Sequence, residues 1–308
     1  MASPTAGTEP QRVPALEIGG SHVTAALADC GSGRLLPGHR IRLAVDPHGA
    51  AEEILGAWIA AARRLGVRSP IWGVAMPGPF DYQRGIGDFA GVGKFAALSG
   101  HDVGSALAAG VGGDVRIGFT NDADAYALGE WLSFDEPRPR RVVGITLGTG
   151  VGSGFVDDGS VVTTGPEVPA EGSAYRLEIG GRPLEETAST RAVLAAYSRR
   201  RMKITNVEEL TLLARNGDGV AQQVFHDAWS AAAQALAPYI SAFGARHIIV
   251  GGSIARSWDL VRPALIDGLA SWSPTLPTAV DLRPSADPEA AALLGAAYAA
   301  QRRFQSAA

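Results

Sequence analysis

The chain has 308 residues, of which 46% are hydrophobic and 19% charged, and carries a net charge of −4. That length supports two domains with a core each, and the mild acidity gives no basis for nucleic-acid binding. The single cysteine, Cys30, excludes an internal disulfide and a Cys-rich zinc site, which fits a reducing cytoplasm, and no apolar run approaches a membrane span.

Residues 1–12 lack the apolar core of a secretory signal and are expected to form a disordered tail. Val13 to Gly19, His22 to Ala28 and Arg34 to Ala44 read as three strands joined by tight turns. Gly49 to Leu65 has helical spacing at Ile54, Leu55, Trp58, Ile59 and Ala62. Ile71 to Met76 is a buried strand stopped by Pro77-Gly78-Pro79. Gly85 to Gly100 is a glycine-broken loop, Val103 to Ala109 a helix, and Val115 to Phe119 a strand. Thr120-Asn121-Asp122 then leads into an alanine-rich helix from Ala123 to Trp131. Pro137 and Pro139 mark a domain boundary, after which the pattern restarts. Arg141 to Leu147 and Gly152 to Val156 are strands, with a third near Val161. Helices are expected over Leu184 to Arg199, Gly219 to Phe243, Arg256 to Leu269 and Asp287 to Arg303. Strands fall at His247 to Val250 and Val280 to Arg283. The expected fold is α/β: a domain over 13–133, a second over 134–286, a cleft between them, and a terminal helix (287–304) that packs back on the first.

The strongest single signal is a glycine-rich hairpin that occurs twice. The first copy is Glu17-Ile18-Gly19-Gly20-Ser21 followed by the strand from His22. The second is Leu147-Gly148-Thr149-Gly150-Val151-Gly152. Turns without bulky side chains let backbone N–H groups approach a phosphate. Two facing copies would grip one nucleotide from both sides, with Gly19, Gly20 and Ser21 opposite Gly148, Thr149 and Gly150. Gly152 and Gly154 are assigned to strand packing.

These pieces resemble the ROK family of sugar kinases, within the actin-like ATPases, over nearly the whole chain from Val13 to Arg303. Glu17-Ile18-Gly19-Gly20-Ser21 is similar to the family's Asp-x-Gly-Gly-Thr hairpin. Val74-Ala75-Met76-Pro77-Gly78-Pro79 is similar to its apolar-Pro-Gly-Pro strand end. Asn121-Asp122-Ala123 with Gly129-Glu130, Leu184-Glu185-Glu186-Thr187-Ala188-Ser189 and Val250-Gly251-Gly252-Ser253 match further segments in order. Two departures stand out. Glu17 replaces the usual Asp, and residues 165–182 contain no Cys or His where the family has Glu-x-Gly-His and a zinc loop. The expectation is therefore no zinc, and the loss of a histidine that touches the sugar.

The resemblance implies two actin-like domains, ATP and Mg²⁺, and transfer to the 6-hydroxyl of a hexose or amino-hexose. Asp122 would be the general base, because phosphoryl transfer needs a carboxylate for the acceptor's proton. Taken alone, Asn121-Asp122 would be an ordinary helix cap. Its position after a strand that faces the expected cleft favours the catalytic reading, with Asn121 on ring hydroxyls. Gly78, Glu171 and Glu185 join the acceptor site, Glu171 being preferred over its competitor Glu167. Gly251 and Gly252 face the adenosine side, and Glu17 acts on Mg²⁺ directly or through water. Asp124 and Glu130 are read as structural, and His22, His39, His48, His226 and His247 as ordinary residues. Glucose and an amino sugar such as kanosamine stand equal as acceptors, since an ammonium would favour carboxylate partners. A cytoplasmic homodimer without nucleic-acid or membrane partners is expected. The alternatives are a sugar-binding pseudokinase and a ROK-type regulator without a DNA-binding domain.

Overall fold

The computed structural model describes residues 12–201 and 203–305. The expected tail over 1–12 lies outside the described residues up to position 11, and Arg12 opens the first strand. The chain divides into two compact units, one running to Glu136 and resuming at Glu289, the other running from Pro137 to Pro288.

In the first unit, β1 (Arg12–Ile18), β2 (His22–Asp29) and β3 (Arg34–Ala44) form an antiparallel meander, and α1 (Ala51–Leu65) follows. Next come β4 (Ile71–Met76) and a two-strand ribbon of β5 (Phe80–Asp81) with β6 (Ile86–Gly87). Helix α2 (Val103–Val111), β7 (Arg116–Asn121) and α3 (Asp122–Leu132) complete this stretch. The sheet order is β3-β2-β1-β4-β7, with β1, β4 and β7 parallel. Strand alternation sends Trp72, Val74 and Met76 into one core with Trp58 of α1 and Leu107 of α2.

The second unit repeats this order. Strands β8 (Arg141–Leu147), β9 (Val151–Asp157) and β10 (Ser160–Val161) form the meander. A small ribbon of β11 (Glu178–Ile179) and β12 (Arg182–Pro183) precedes helices α4 (Thr190–Ser198), α5 (Val207–Arg215) and α6 (Gly219–Phe243). Strand β13 (His247–Gly251), α7 (Trp258–Trp272), the short α8 (Leu276–Ala279) and β14 (Asp281–Pro284) follow. The order β10-β9-β8-β13-β14, with β8, β13 and β14 parallel, matches that of the first unit strand for strand. The duplication seen in the two hairpins is therefore a duplication of the sheet. The core gathers Val143, Ile145 and Leu147 of β8, Ile248 and Val250 of β13, and the apolar faces of α6 and α7.

The last helix, α9 (Pro288–Gln305), belongs to the first unit. It lies on the sheet face opposite α1, where only small residues let it approach. A Cβ at Gly73 of β4 would strike the Ala296 backbone, and one at Gly118 of β7 would press on Ala300. The crossing with α3 is closer still: a side chain at Gly129 would meet the Ala291 carbonyl, and one at Gly295 the Ala125 carbonyl.

Two expectations change. The helix expected over Leu184 to Arg199 is a 3₁₀ turn at Leu184–Glu186 followed by α4, because Ser189 caps α4 with its Oγ accepting from Ala192 N at 3.2 Å. The helix expected from Arg256 begins at Trp258, preceded by a 3₁₀ turn over Ser253–Ser257.

Candidate active site

The parallel register of the first unit aligns three strand ends. Glu17 pairs with Ala75, Ala75 with Thr120, and Met76 with Asn121. The Gly19–Ser21 turn, Pro77-Gly78-Pro79 and Asn121-Asp122 thus leave the sheet on the same side, at the carboxyl ends of β1, β4 and β7. Ligands of open α/β sheets bind at such ends. The Gly78–Pro79 peptide is cis.

The turn is closed by Gly19 N donating to the His22 carbonyl at 2.9 Å, and the Ser21 carbonyl accepts from Val45 N at 2.9 Å. The Gly20 and Ser21 N–H groups donate to nothing among the described residues. They are two free donors of the kind that bind an anion.

Asn121 caps α3: its Oδ1 accepts from Ala123 N at 3.0 Å and Asp124 N at 3.3 Å. Its Nδ2 donates to Tyr82 Oη at 3.0 Å, and that hydroxyl donates to the Met76 carbonyl at 3.2 Å. One amide hydrogen of Asn121 remains for a ligand. Asp122 Oδ1 accepts from Ala123 N at 2.9 Å. Burial pushes the Asp122 carboxyl up to about 6; the Ala123 N–H opposes the rise, the charge of Glu17 adds to it, and the charge of Lys94 opposes it. Asp124 is pushed up to about 8 by burial and then by Asp122, so it is protonated near neutral pH and adds no second negative charge.

His22, read from sequence as an ordinary residue, belongs to the site. Its Nε2 lies 3.4 Å from Glu17 Oε2 and 3.2 Å from Glu289 Oε1 of α9. Glu289 is further held by Arg40, Arg42 and Thr24. Hydrogen bonds to Glu17 and Glu289 raise His22 to about 9 despite burial, and Glu289 is held down to about 2 by these donors despite its own desolvation. Glu17, His22 and Glu289 offer ligand atoms within 4.8 Å of one another, but a protonated imidazole has no lone pair for a metal. The trio is an ion-pair cluster. Glu17 Oε2 is buried, and its one close polar neighbour among the described residues is the His22 imidazole at 3.4 Å.

The two shifts share the His22–Glu289 contact, while His22 owes the largest part of its rise to Glu17 and Glu289 is held by Arg40 and Thr24 as well; the cluster contributes on the order of 1–2 kcal/mol once solvent screening is allowed for. A raised His gives stability that is complete below its ordinary value of 6.5 and fades as pH climbs through about 9. The depressed Glu289 loses its share as pH falls from 4.5 toward about 2. Replacing His22→Gln should therefore lower the thermal midpoint at about pH 6 and make much less difference at about pH 10. A pH-independent difference between the two proteins would assign the loss to packing.

The second unit repeats the arrangement. Gly148 N donates to the Gly150 carbonyl at 3.0 Å. The Gly148 carbonyl accepts from Thr190 N at 2.9 Å and Thr190 Oγ1 at 2.7 Å, which ties the start of α4 to the turn. Glu185 Oε1 accepts from Val151 N at 3.2 Å and occupies the space that a side chain at Gly150 would need. Gly251 pairs with Thr146 at the end of β13, and Gly252 has φ of 86°, where a side chain would strike the Leu147 carbonyl. Thr149, Gly150, Glu185, Gly251 and Gly252 thus gather at the carboxyl ends of β8 and β13. Glu171 lies in the 3₁₀ turn Ala170–Gly172. Its side chain is 64% exposed and pairs with Arg176 at 2.7 Å.

A carboxylate beside a turn with two free N–H groups, and a second glycine turn in a repeated α/β unit, fit the actin-like architecture of sugar kinases. A family model described as the ROK family matches residues 13–303. The chain belongs to the ROK family. It is 27% identical to a glucokinase of Thermotoga maritima over 263 residues, 78% of this chain and 81% of that protein. It is 30% identical to a polyphosphate glucokinase of Mycobacterium tuberculosis over 177 residues, 57% of this chain and 62% of the relative. Among solved structures, the ROK hexokinase of Thermus thermophilus superimposes with a TM-score of 0.75 at 26% identity, covering 96% of this chain and 99% of that one.

Proposed function

We propose that this chain is an ATP- and Mg²⁺-dependent kinase for the 6-hydroxyl of a hexose or amino-hexose, with Asp122 as general base. The observation that carries the reading is Asp122 itself, a half-buried carboxylate at the strand ends that hold the free N–H groups of Gly20 and Ser21. Raised to about 6, it is ionised at neutral pH yet basic enough to take a hydroxyl proton as the bond to phosphorus forms. Asn121 and Gly78 orient the sugar ring. Gly19, Gly20 and Ser21, and Gly148, Thr149 and Gly150, bind phosphate oxygens, and Gly251 and Gly252 border the adenosine.

Glu17 would hold a magnesium ion in its hydrated form: its carboxylate has no partner nearer than the His22 imidazole, 3.4 Å from Oε2, and such an ion takes few carboxylates and keeps several waters. When bound, the ion supplies charge neutralisation at the phosphates. Residues 165–182 offer neither Cys nor His, so zinc is not part of this proposal.

The test is turnover on a panel of hexoses and amino-hexoses, with ATP and with polyphosphate as donors, the product being located by NMR. A 6-phosphate formed from ATP supports the reading. Sugar binding without turnover would make the chain a pseudokinase or a regulator.

Acceptor choice rests on Glu185 more than on Glu171, whose carboxylate is engaged by Arg176. Glu185 uses one oxygen for Val151 N and has a second for an acceptor ammonium or hydroxyl. Glu185→Gln keeps a carbonyl oxygen for Val151 N and removes the charge. If the acceptor carries an amine, discrimination between amino-hexose and glucose in kcat/KM should fall by roughly tenfold or more, with the KM for ATP little changed. Equal losses for both sugars would mean that Glu185 holds a shared hydroxyl.

A further inference from the structure

The chain contains two lysines, Lys94 and Lys203, against 25 arginines, since Lys and Arg together number 27. Lys203 is exposed, whereas Lys94 is half-buried. Lys94 lies across the first phosphate turn. A Cβ built on Gly20 would come 2.5 Å from Lys94 Nζ, 2.9 Å from its Cε and 3.3 Å from its Cδ. The ammonium thus sits over the glycine whose N–H, with that of Ser21, donates to nothing among the described residues. Lys94 forms no ion pair with any described carboxylate.

The loop that carries Lys94 is built to hold it there. Phe95, the next residue, adopts φ of 56°, a left-handed conformation that costs an aromatic residue on the order of 1 kcal/mol or more. Packing fixes it: the ring is buried, 5.5 Å from Trp58 and 5.7 Å from Phe89, and Phe95 N donates to the Pro47 carbonyl at 2.8 Å. The reversal at Phe95 turns the side chain of Lys94 back over Gly20. A compact, strongly hydrated ammonium held near two free N–H groups, without a carboxylate partner, is arranged for an anion that arrives with the substrate.

We propose that Lys94 is a catalytic residue of this phosphoryl transfer, its ammonium completing the cradle of Gly20 and Ser21 around the transferred phosphoryl group. The proposal rests on the kinase reading above. In the step, the acceptor hydroxyl gives its proton to the Asp122 carboxylate and its oxygen forms the new bond to the γ-phosphorus. The bond from that phosphorus to the bridging oxygen of ATP breaks, and ADP leaves with the electron pair. Lys94 remains protonated and neutralises charge on the equatorial oxygens.

Lys94 is also one of the charged groups that act on Asp122. Glu17 and Asp122 carry the negative charges at this edge, Asp124 is a protonated neighbour, and Lys94 is the opposing cation on Asp122. Its removal should therefore move the acid limb of kcat/KM to higher pH, which a purely structural side chain would not do.

Two measurements on the full chain decide the matter. In the first, Lys94→Gln should lower kcat at saturating sugar by about 100-fold or more, shift the acid limb upward and leave the sugar KM nearly unchanged, while Lys203→Gln behaves as wild type. A kcat within about threefold of wild type, or a defect confined to the sugar KM, overturns the proposal. The second needs no turnover. The wild-type protein is acetylated with an amine-selective reagent, with and without tripolyphosphate, and both lysines are read by peptide mass spectrometry. Protection of Lys94 by several-fold, with Lys203 unaffected, is the expected result. Equal labelling of Lys94 in both conditions overturns the phosphate contact. A wild-type protein that turns over no sugar would sink the kinase reading, and the labelling arm would still decide whether Lys94 meets phosphate.

Discussion

Asp122→Asn should retain the fold and the affinity for ATP while losing roughly 10²–10⁴-fold in kcat. The asparagine is isosteric, and its Oδ1 can still accept from Ala123 N, the one hydrogen bond that Asp122 makes within the first turn of α3. What disappears is the proton acceptor. Wild-type kcat/KM should fall on the acid side around pH 6, where burial has raised the carboxyl, and that limb should vanish in the variant's residual activity. A variant with near-full turnover and an unchanged melting curve would show that Asp122 is a cap and no more. A variant that unfolds would say nothing about chemistry, so circular dichroism belongs beside the kinetics.

Gly295→Ala should destabilise the first unit severely, although it adds one methyl group. At this position the methyl would enter the Ala125 carbonyl of α3, and neither backbone can yield without parting two helices. Overpacking of this kind costs about 3 kcal/mol, equivalent to roughly 6–12 °C in the melting temperature of a unit this size. Gly56→Ala supplies the contrast. It is an exposed position within α1 with nothing within 4 Å of the added methyl. There the same change should stabilise by up to about 1 kcal/mol through helix propensity and a less flexible unfolded chain. If both variants melt alike, the close crossing of α3 and α9 is not what holds the last helix in place.

The legible parts of this protein are those encoded over short stretches of sequence. Both meanders, both glycine turns and the Asn121-Asp122 helix start follow from apolar runs ended by small or capping residues. Asn121 is the cap as well as a proposed sugar ligand, and the structure shows the cap in full. Helix α5 is absent from the expected elements, yet it carries local signals: Asn206 accepts from Glu209 N at 2.7 Å, and Val207, Leu210 and Ala214 are buried at helical spacing. It is only nine residues long and precedes the 25 residues of α6, which dominate this stretch of sequence. The ion-pair cluster could not be read in the same way. Glu289 reaches Thr24 across 265 positions, and only the folded sheet brings α9 beside β2. Lys94 was hidden for a related reason. Its loop has no periodicity, and its relation to Gly20 depends on one left-handed residue and two buried aromatic rings. Glu185 was read as an acceptor ligand from the family pattern, whereas its bond to Val151 N required the register of the second hairpin.

The return of α9 to the first unit bears on how the chain is made. A ribosome delivers β1 to α3 first, but the sheet face that carries Gly73 and Gly118 stays uncovered until α9 emerges, more than 150 residues later. The second unit is encoded without interruption from Pro137 to Pro288 and has all its strands before α9 begins. Vectorial synthesis therefore inverts the order of the sequence: the unit begun second is completed first, and the unit begun first waits with small apolar residues exposed. Thr24, Arg40 and Arg42 wait in the same way for Glu289, so the cluster beside Glu17 closes only when the first unit has its last helix.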